Sequence, residues 1–365
     1  MLIKAPLVKN GIEKLHAEIS YFISQLETRT KWSRKLFHDD FYDAVVSKSS
    51  ALEDRLKTFF KEFNKLPPYR KAEIVKEFNE HNSIRTLCDT KRNVTRYWKD
   101  STYPEFVEAV EGLFIWMYGA TLERVNYKNF SGESLRDHYS AYRRVYDLAM
   151  CPFCGLEDYK DLHDELVTRD AYDHYLDKAS YPFAAVNPDN LFPMCHSCNS
   201  DTKKMQDVLY ENVTNTRRFA PYPPEDEFEV SIQIDNALLL SPIVIITLRN
   251  ASSPQTVEKF STWMMVFKIP QRYEGRVKKK KQDWLIDSVG NLSLTMMDTE
   301  VPERLKTAHE RCLSSLELRR QSNNDLKASF LAYCVAHSAS IINFFRHDPS
   351  YARYLTARTK ALNTV

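Results

Sequence analysis

Cys151-Pro152-Phe153-Cys154 and Cys195-His196-Ser197-Cys198 are two Cys-x-x-Cys pairs separated by 40 residues. Zinc takes four tetrahedral thiolate or imidazole ligands, and a Cys-x-x-Cys turn aims two sulfurs at one ion. The two pairs together therefore close one structural site. The gap is longer than a plain zinc ribbon needs, so it builds something of its own. It holds Asp173-His174 and then Asn190-Leu191-Phe192-Pro193, and the second pair runs on into Asn199 and Lys203-Lys204. His196, inside the second pair, competes as a ligand, but a solvent-facing or phosphate-facing role suits it better.

Outside 151–205 the pattern changes from turn-rich to helical. Ile12, Leu15, Ile19, Ile23 and Leu26 recur at helical spacing behind a capping box formed by Asn10 and Glu13. Leu52, Leu56, Phe59 and Phe63 form a second stripe that stops before Pro67-Pro68. Phe106, Val110, Leu113, Phe114 and Met117 form a third, with Pro104 at its start. A helix over 133–148 delivers the chain to Cys151. Beyond the module, residues 219–227 are proline-rich and then acidic and read as a linker. Phe228, Val230, Ile232 and Ile234 alternate with polar residues as a half-buried strand, and Ile243 to Leu248 is its hairpin partner. A helix with Val257, Phe260, Met264 and Phe267 follows, and the tail from about Val301 to Leu355 is helical again.

Composition agrees with a helix-rich folded protein. The 365 residues include 43% hydrophobic and 27% charged residues and only 7 glycines, too few for a glycine-loop or β-rich fold. A net charge of +2 means that any basic footprint for nucleic acid is local. No secretory signal and no membrane-length apolar run is visible, since Ala237 to Leu248 is short and interrupted by Ser241 and Pro242. The expectation is a cytoplasmic protein with no membrane partner, whose seven cysteines are not disulfides. Cys88, Cys312 and Cys334 fall in apolar helical patterns and read as small buried hydrophobes.

Hydrolysis of a phosphodiester needs an activated water, a cation to stabilise charge on the phosphate and the leaving oxygen, and a rigid frame. Magnesium prefers oxygen ligands and keeps several waters. Asp173 and Asn199 supply such oxygens, and His174 is a base that is neutral near pH 7. On Cys151, Cys154, Asp173-His174, Asn190-Leu191, Cys195, Cys198 and Asn199, the chain resembles the HNH endonucleases of the ββα-metal, four-cysteine zinc type. The resemblance implies His174 as general base, Asp173 and Asn199 as ligands of a catalytic Mg or Mn ion, and Asn190 as the residue that pins the loop and orients the histidine. Asp173-His-Tyr-Leu-x-Lys178 followed by Tyr181-Pro182 is similar, more narrowly, to HNH nucleases of bacterial anti-phage systems such as Septu and some retron operons. There an ATPase often accompanies the nuclease. Those relatives tend to carry proline where this chain has Asp177, which adds a carboxylate close to the phosphate path.

The expected fold is thus α-dominated α+β. A small zinc-stabilised ββα-metal HNH module (133–210) lies between an N-terminal helical domain (1–132) and a C-terminal α+β region (211–365), mostly helical after 254. Zinc holds the module together, because so short a segment lacks a core of its own. The expected function is DNA cleavage in anti-phage defence, with a partner ATPase or other defence subunit. A non-catalytic zinc-stabilised nucleic-acid-binding module and an RNA-cleaving toxin are the alternatives. Lys203, Lys204 and the run Lys278, Lys279, Lys280 and Lys281 are candidate phosphate contacts. The segment Lys91-Arg92 to Arg96-Tyr97-Trp98-Lys99 interleaves cations with aromatics, which suits a grip on nucleic acid by phosphate contact and stacking. His163, in an acidic stretch, reads as a surface residue.

Overall fold

A computed structural model describes residues 2–8, 11–96, 102–160, 169–204, 206–237, 242–249, 251–290, 297–314 and 324–347. The architecture is a mostly helical α+β fold with two small two-stranded antiparallel sheets. Among the described residues no single helix is long and apolar enough to cross a membrane.

The N-terminal stripes fold as their spacing directs. Helix α1 (Gly11–Gln25) buries Ile12, Leu15, Ile19 and Ile23. Its expected cap at Asn10 lies outside the described residues. Helix α2 (Ser50–Lys65) starts where the Ser49 hydroxyl accepts the Leu52 N–H at 3.3 Å, and it buries Leu52, Leu56, Phe59 and Phe63. It stops before the proline pair, and α3 (Pro68–His81) starts with Pro68 at its first position, where a missing N–H costs nothing. Pro104–Val110, Glu111–Ile115 and Trp116–Ala120 follow as one helical run with a wide π turn at its middle. Phe59 touches Phe22, Phe63, Phe106 and Phe114, so one aromatic side chain ties three of these elements together. Helix α4 (Leu135–Val145) opens with a complete capping box between Ser134 and Asp137 and leads to the first cysteine pair.

Strands β1 (Tyr172–His174) and β2 (Leu191–Pro193) form the central hairpin, with Asp173 opposite Phe192 and His174 opposite Leu191. The second sheet pairs β3 (Val230–Asp235) with β4 (Ile243–Leu248). Among the described residues five helices follow: α5 (Pro254–Val266), α6 (Ile269–Val289), α7 (Met297–Ser314), α8 (Asn324–Ala336) and α9 (Ser338–His347). In α5 the buried stripe is Phe260, Trp263 and Val266, continued by Phe267, while Val257 is exposed. Of the expected stripe, Phe260 and Phe267 are buried and Met264 is half-buried against the core, so Val257 is the one position that the expectation misplaced. The basic run belongs to α6, whose Ile269, Tyr273, Val277, Trp284, Leu285 and Val289 face the core.

Two hydrophobic cores result, and the central module belongs to both. One gathers the N-terminal helices with Tyr172, Phe183, Ala185, Val186 and Leu191. The other gathers the four site cysteines, Phe153, Tyr175 and Phe192 with β3, β4 and the C-terminal helices. Alternation along β2 explains the division, since Leu191 and Phe192 point to opposite faces. The module is therefore packed on two sides and shares the cores of its neighbours, support that comes in addition to any zinc. The 219–227 stretch is no tether either: Ala220 and Tyr222 are buried, Ala220 N–H donates to Cys88 and Ala5 N–H to Pro223. Proline-rich sequence here marks an extended segment wedged into the core rather than a solvated link.

His81 closes the seam between α3 and the module. Its Nε2–H donates to the Thr95 carbonyl at 2.7 Å, and its ring lies against Tyr181 and Phe183. Burial lowers its pKa from 6.5 to about 4, the Thr95 bond only partly offsetting this. The neutral ring contributes stability that is fully present above about pH 6.5 and is lost as pH falls through about 4. In urea titrations of the parent, the unfolding midpoint is expected to drop over that window, with His81→Phe showing a shallower drop. An equally steep drop in the variant would show that His81 is not held neutral.

Candidate functional site

Each Cys-x-x-Cys pair is a tight turn built by its own backbone. Gly155 N–H donates to Cys151 at 2.9 Å with Gly155 in the left-handed region (φ +63°), and Cys198 and Asn199 N–H groups donate to Cys195 at 3.0 Å each. All four cysteines are buried and their sulfurs lie within 4.8 Å of one another. Cys151 Sγ is 4.0 Å from Cys198 Sγ, and Cys154 Sγ is 3.9 Å from Cys195 Sγ. A disulfide would bring a pair to about 2.05 Å. Zinc–sulfur bonds of about 2.3 Å in a tetrahedron put sulfurs about 3.8 Å apart, so the donor set and spacing fit zinc.

Helix α6 braces this cluster. Arg272 Nη1 is 3.1 Å from Cys198 Sγ. Burial opposes the charge of Arg272, but the sulfurs of Cys198, Cys154 and Cys195 outweigh it and raise the guanidinium above its usual range. Tyr273 Oη donates to the Cys154 carbonyl at 2.9 Å, and from α5 Trp263 Nε1 donates to the Phe153 carbonyl at 2.8 Å. Arg276 pairs with Glu157, whose carbonyl takes the Cys151 N–H. His196 is exposed and turned toward Asp201 at 3.9 Å, away from the four sulfurs.

Beside the cluster, a cavity of about 280 Å³ is lined by Asp173, His174, Asp177, Lys178, Asn199 and Lys204, with Ile115, Tyr118 and Tyr172 as its apolar wall. Three of the four catalytic candidates, Asp173, His174 and Asn199, thus meet in one place. His174 closes β1, and its Nε2 sits 3.1 Å from the Ala185 carbonyl. A carbonyl only accepts, so the proton is on Nε2 and the free lone pair on Nδ1. Burial, with the nearby Lys178 and Lys203 ammonium groups, holds the ring's pKa down to about 3, against the Ala185 bond. Tyr118 meets the ring edge-on at 4.3 Å between centroids.

Asn190, fully buried at the end of the short turn just before β2, does not line the cavity. It works as a brace: Oδ1 accepts the Leu176 N–H at 2.7 Å, and Nδ2 donates to the Leu176 and Ala184 carbonyls at 3.0 and 3.2 Å. The loop from Tyr175 to Ala185, which carries the acceptor of His174, is therefore fixed to the hairpin. Asn199 sits in the wide helical segment Ser197–Lys203, where its carbonyl accepts the Lys204 N–H at 3.0 Å.

Lys203 is not a surface cation. It is fully buried, with Nζ 2.9 Å from Asp173 Oδ2 and donating to the His174 carbonyl at 2.8 Å. The contact with Asp173 is an ion pair off the line of a hydrogen bond. Burial pushes the Asp173 carboxyl up to about 6, Lys203 pulls it down, and Asp177 adds to the rise. A phosphate-contacting role for Lys203 is corrected accordingly: the ammonium is committed to the Asp173-His174 pair. Lys204, by contrast, is exposed on the cavity rim, with a backbone in the positive-φ region (φ +47°).

Of the distal basic residues, Lys278 and Lys279 are exposed on α6, Lys280 pairs with Asp283 at 3.0 Å, and Lys281 is half-buried. Lys91 and Arg92 pair with Glu258 and Glu80, and Arg96 with Asp207, so those cations are engaged within the chain. Tyr97, Trp98, Lys99 and His163 lie outside the described residues. Cys88 and Cys334 are buried as expected, and Cys312 is half-buried.

Tyr118, Lys178 and Arg272 escaped assignment from sequence. Lys178 falls in the quoted Asp-His-Tyr-Leu-x-Lys stretch and Arg272 in the basic run, so each carried a weak signal; Tyr118, one of 20 tyrosines, carried none. No family model, curated protein or solved structure matches this chain. The site accordingly rests on its own geometry.

Two outcomes are expected. Cys195→Ser should lose the bound zinc measured by metal analysis of the purified protein, while Cys88→Ser keeps it; full zinc content in Cys195→Ser would remove the four-cysteine site. Lys203→Met leaves Asp173 buried without its cation and should cost about 3–5 kcal/mol in denaturant unfolding. Asp173→Asn added to Lys203→Met should recover part of that loss, and strict additivity of the two would argue against the pair.

Proposed function

We propose that the chain is a metal-dependent HNH-type endonuclease that hydrolyses DNA phosphodiester bonds. The observation that carries this reading is the meeting of Asp173, His174 and Asn199 in one cavity beside a four-cysteine cluster. A carboxylate and an amide oxygen are hard donors that suit Mg or Mn, so the residues present fit such an ion. Held by Asp173 and Asn199, the ion would supply positive charge to the phosphate and the leaving oxygen.

The chain's own residues account for the remaining steps. His174 Nδ1 takes a proton from the attacking water as its oxygen bonds to phosphorus. The bond from phosphorus to the 3′ oxygen breaks, and that oxygen takes its proton from solvent. The Ala185 carbonyl holds the ring through Nε2, Asn190 fixes the loop behind that carbonyl, and Lys203 holds the Asp173-His174 pair from the core side. Lys178 and Lys204 at the cavity wall and rim are placed to meet the non-bridging phosphate oxygens. The exposed Lys278 and Lys279 on α6 add a longer-range attraction for the nucleic-acid backbone, which salt would weaken. Through the resemblance to anti-phage HNH nucleases, the setting proposed is bacterial defence alongside a partner ATPase.

Supercoiled plasmid and single-stranded RNA, each with Mg, Mn or EDTA, test the reading. Plasmid nicking that EDTA stops is expected, and His174→Ala should lower its rate roughly 10²- to 10⁴-fold with zinc and fold retained. Undiminished cutting by His174→Ala would remove the base. Cutting of RNA alone would redirect the substrate, and binding without cutting, in the presence of the partner gene products, would favour a zinc-stabilised binding module.

A further inference from the structure

Two buried carboxylates line the cavity, and among the described residues only Asp173 has a cation paired with it from the core. Asp173 has Lys203 at 2.9 Å. Asp177 is 6% exposed and spends one oxygen on a turn: Oδ1 accepts the Ala179 and Ser180 N–H groups at 3.1 and 2.9 Å. Its Oδ2 is buried and has no hydrogen-bond partner among the described residues. An ionised carboxylate left in this state carries a desolvation cost that a nearby cation would remove. Lys178, next along the chain, does not serve: its Nζ lies over the Tyr118 ring, 5.7 Å from the centroid. The Asp177 charge raises the Asp173 carboxyl, and both residues line the same cavity as Asn199.

We infer that Asp177 is a further oxygen ligand, direct or through one water, of the divalent cation held by Asp173 and Asn199. The inference rests on the nuclease reading for the cation, and it goes beyond it in assigning a second carboxylate. The turn fixes the residue through Oδ1 and leaves Oδ2 as the donor, so positioning and ligation fall on different oxygens of one side chain. Two carboxylates and an amide oxygen are hard donors, and Lys203 offsets one of the two negative charges from the core side. Such a site favours a hard divalent cation over a monovalent one.

Mn²⁺ binding to the zinc-loaded full chain, read as loss of the free-ion electron paramagnetic resonance signal, tests this without any cleavage assay. Asp177→Asn keeps an oxygen for the Ala179 and Ser180 N–H groups while removing the charge and so should fold like the parent. Its Mn²⁺ affinity should fall about 10- to 100-fold, the usual effect of losing a group that supports a metal site, and Asp173→Asn should bind more weakly still. Unchanged affinity in Asp177→Asn, with affinity lost in Asp173→Asn, would overturn the role of Asp177 and leave the nuclease reading standing. No Mn²⁺ binding by the parent chain at millimolar concentration would overturn both.

Discussion

Four cysteine sulfurs brought within 4.8 Å of one another in a protein interior cannot all ionise without positive charge beside them. Arg272 supplies one such charge from α6, and a zinc ion would supply two more. Much of the molecule is arranged around meeting that demand. Trp263 and Tyr273 hold the backbone of the first pair, and Arg276 holds its far end through Glu157. The C-terminal helices are thus structural partners of the cluster, and the basic run has an inner face committed to it as well as an outer face open to solvent.

The cluster in turn fixes the cavity. The second cysteine pair is the first turn of the segment that carries Asn199 and Lys203, so the position of those two side chains follows from the position of Cys195 and Cys198. Lys203 then reaches back under the hairpin to Asp173 and the His174 carbonyl. A buried ion pair of this kind adds little net stability, because both charges lose their hydration. Its effect is geometric: it ties the strand bearing the Asp-His pair to the helical segment bearing the amide. The cysteine cluster and the cavity are therefore coupled through one lysine rather than merely adjacent.

The parts legible in the sequence were those encoded within a few residues. The Cys-x-x-Cys turns, the helical stripes of α1 and α2 and the β3–β4 hairpin follow from local spacing, and the structure places His174 at a strand end and Asn199 in a helical segment. What escaped depends on partners distant in the chain. Lys203 in a Lys-Lys pair looks like solvated surface until Asp173, 30 residues earlier, is folded against it. Tyr118 has no local mark, and only the packing of the N-terminal helices brings it to His174. Proline at 221, 223 and 224 signals irregular backbone, but whether such backbone is wedged or free is decided by what Ala220 and Tyr222 touch. In α5, Val257 fits the helical period as well as Trp263 does, and the larger ring won the core.

The wall of the cavity gives the N-terminal helices a role that their sequence does not announce. Ile115 and Tyr118 come from the π-turned helical run, while the polar lining comes from the hairpin, its loop and the segment after the second cysteine pair. The packing between them is apolar and aromatic, with Phe183 set against Phe78 and Phe114. Burying one side of the hairpin this way dries the His174 ring and keeps it neutral. The same burial limits the opening, and about 280 Å³ is close to the lower end for ligand pockets. On the nuclease reading proposed above, a cavity of that size would take a phosphate and its neighbouring sugar, and discrimination among sequences would come from groups outside it.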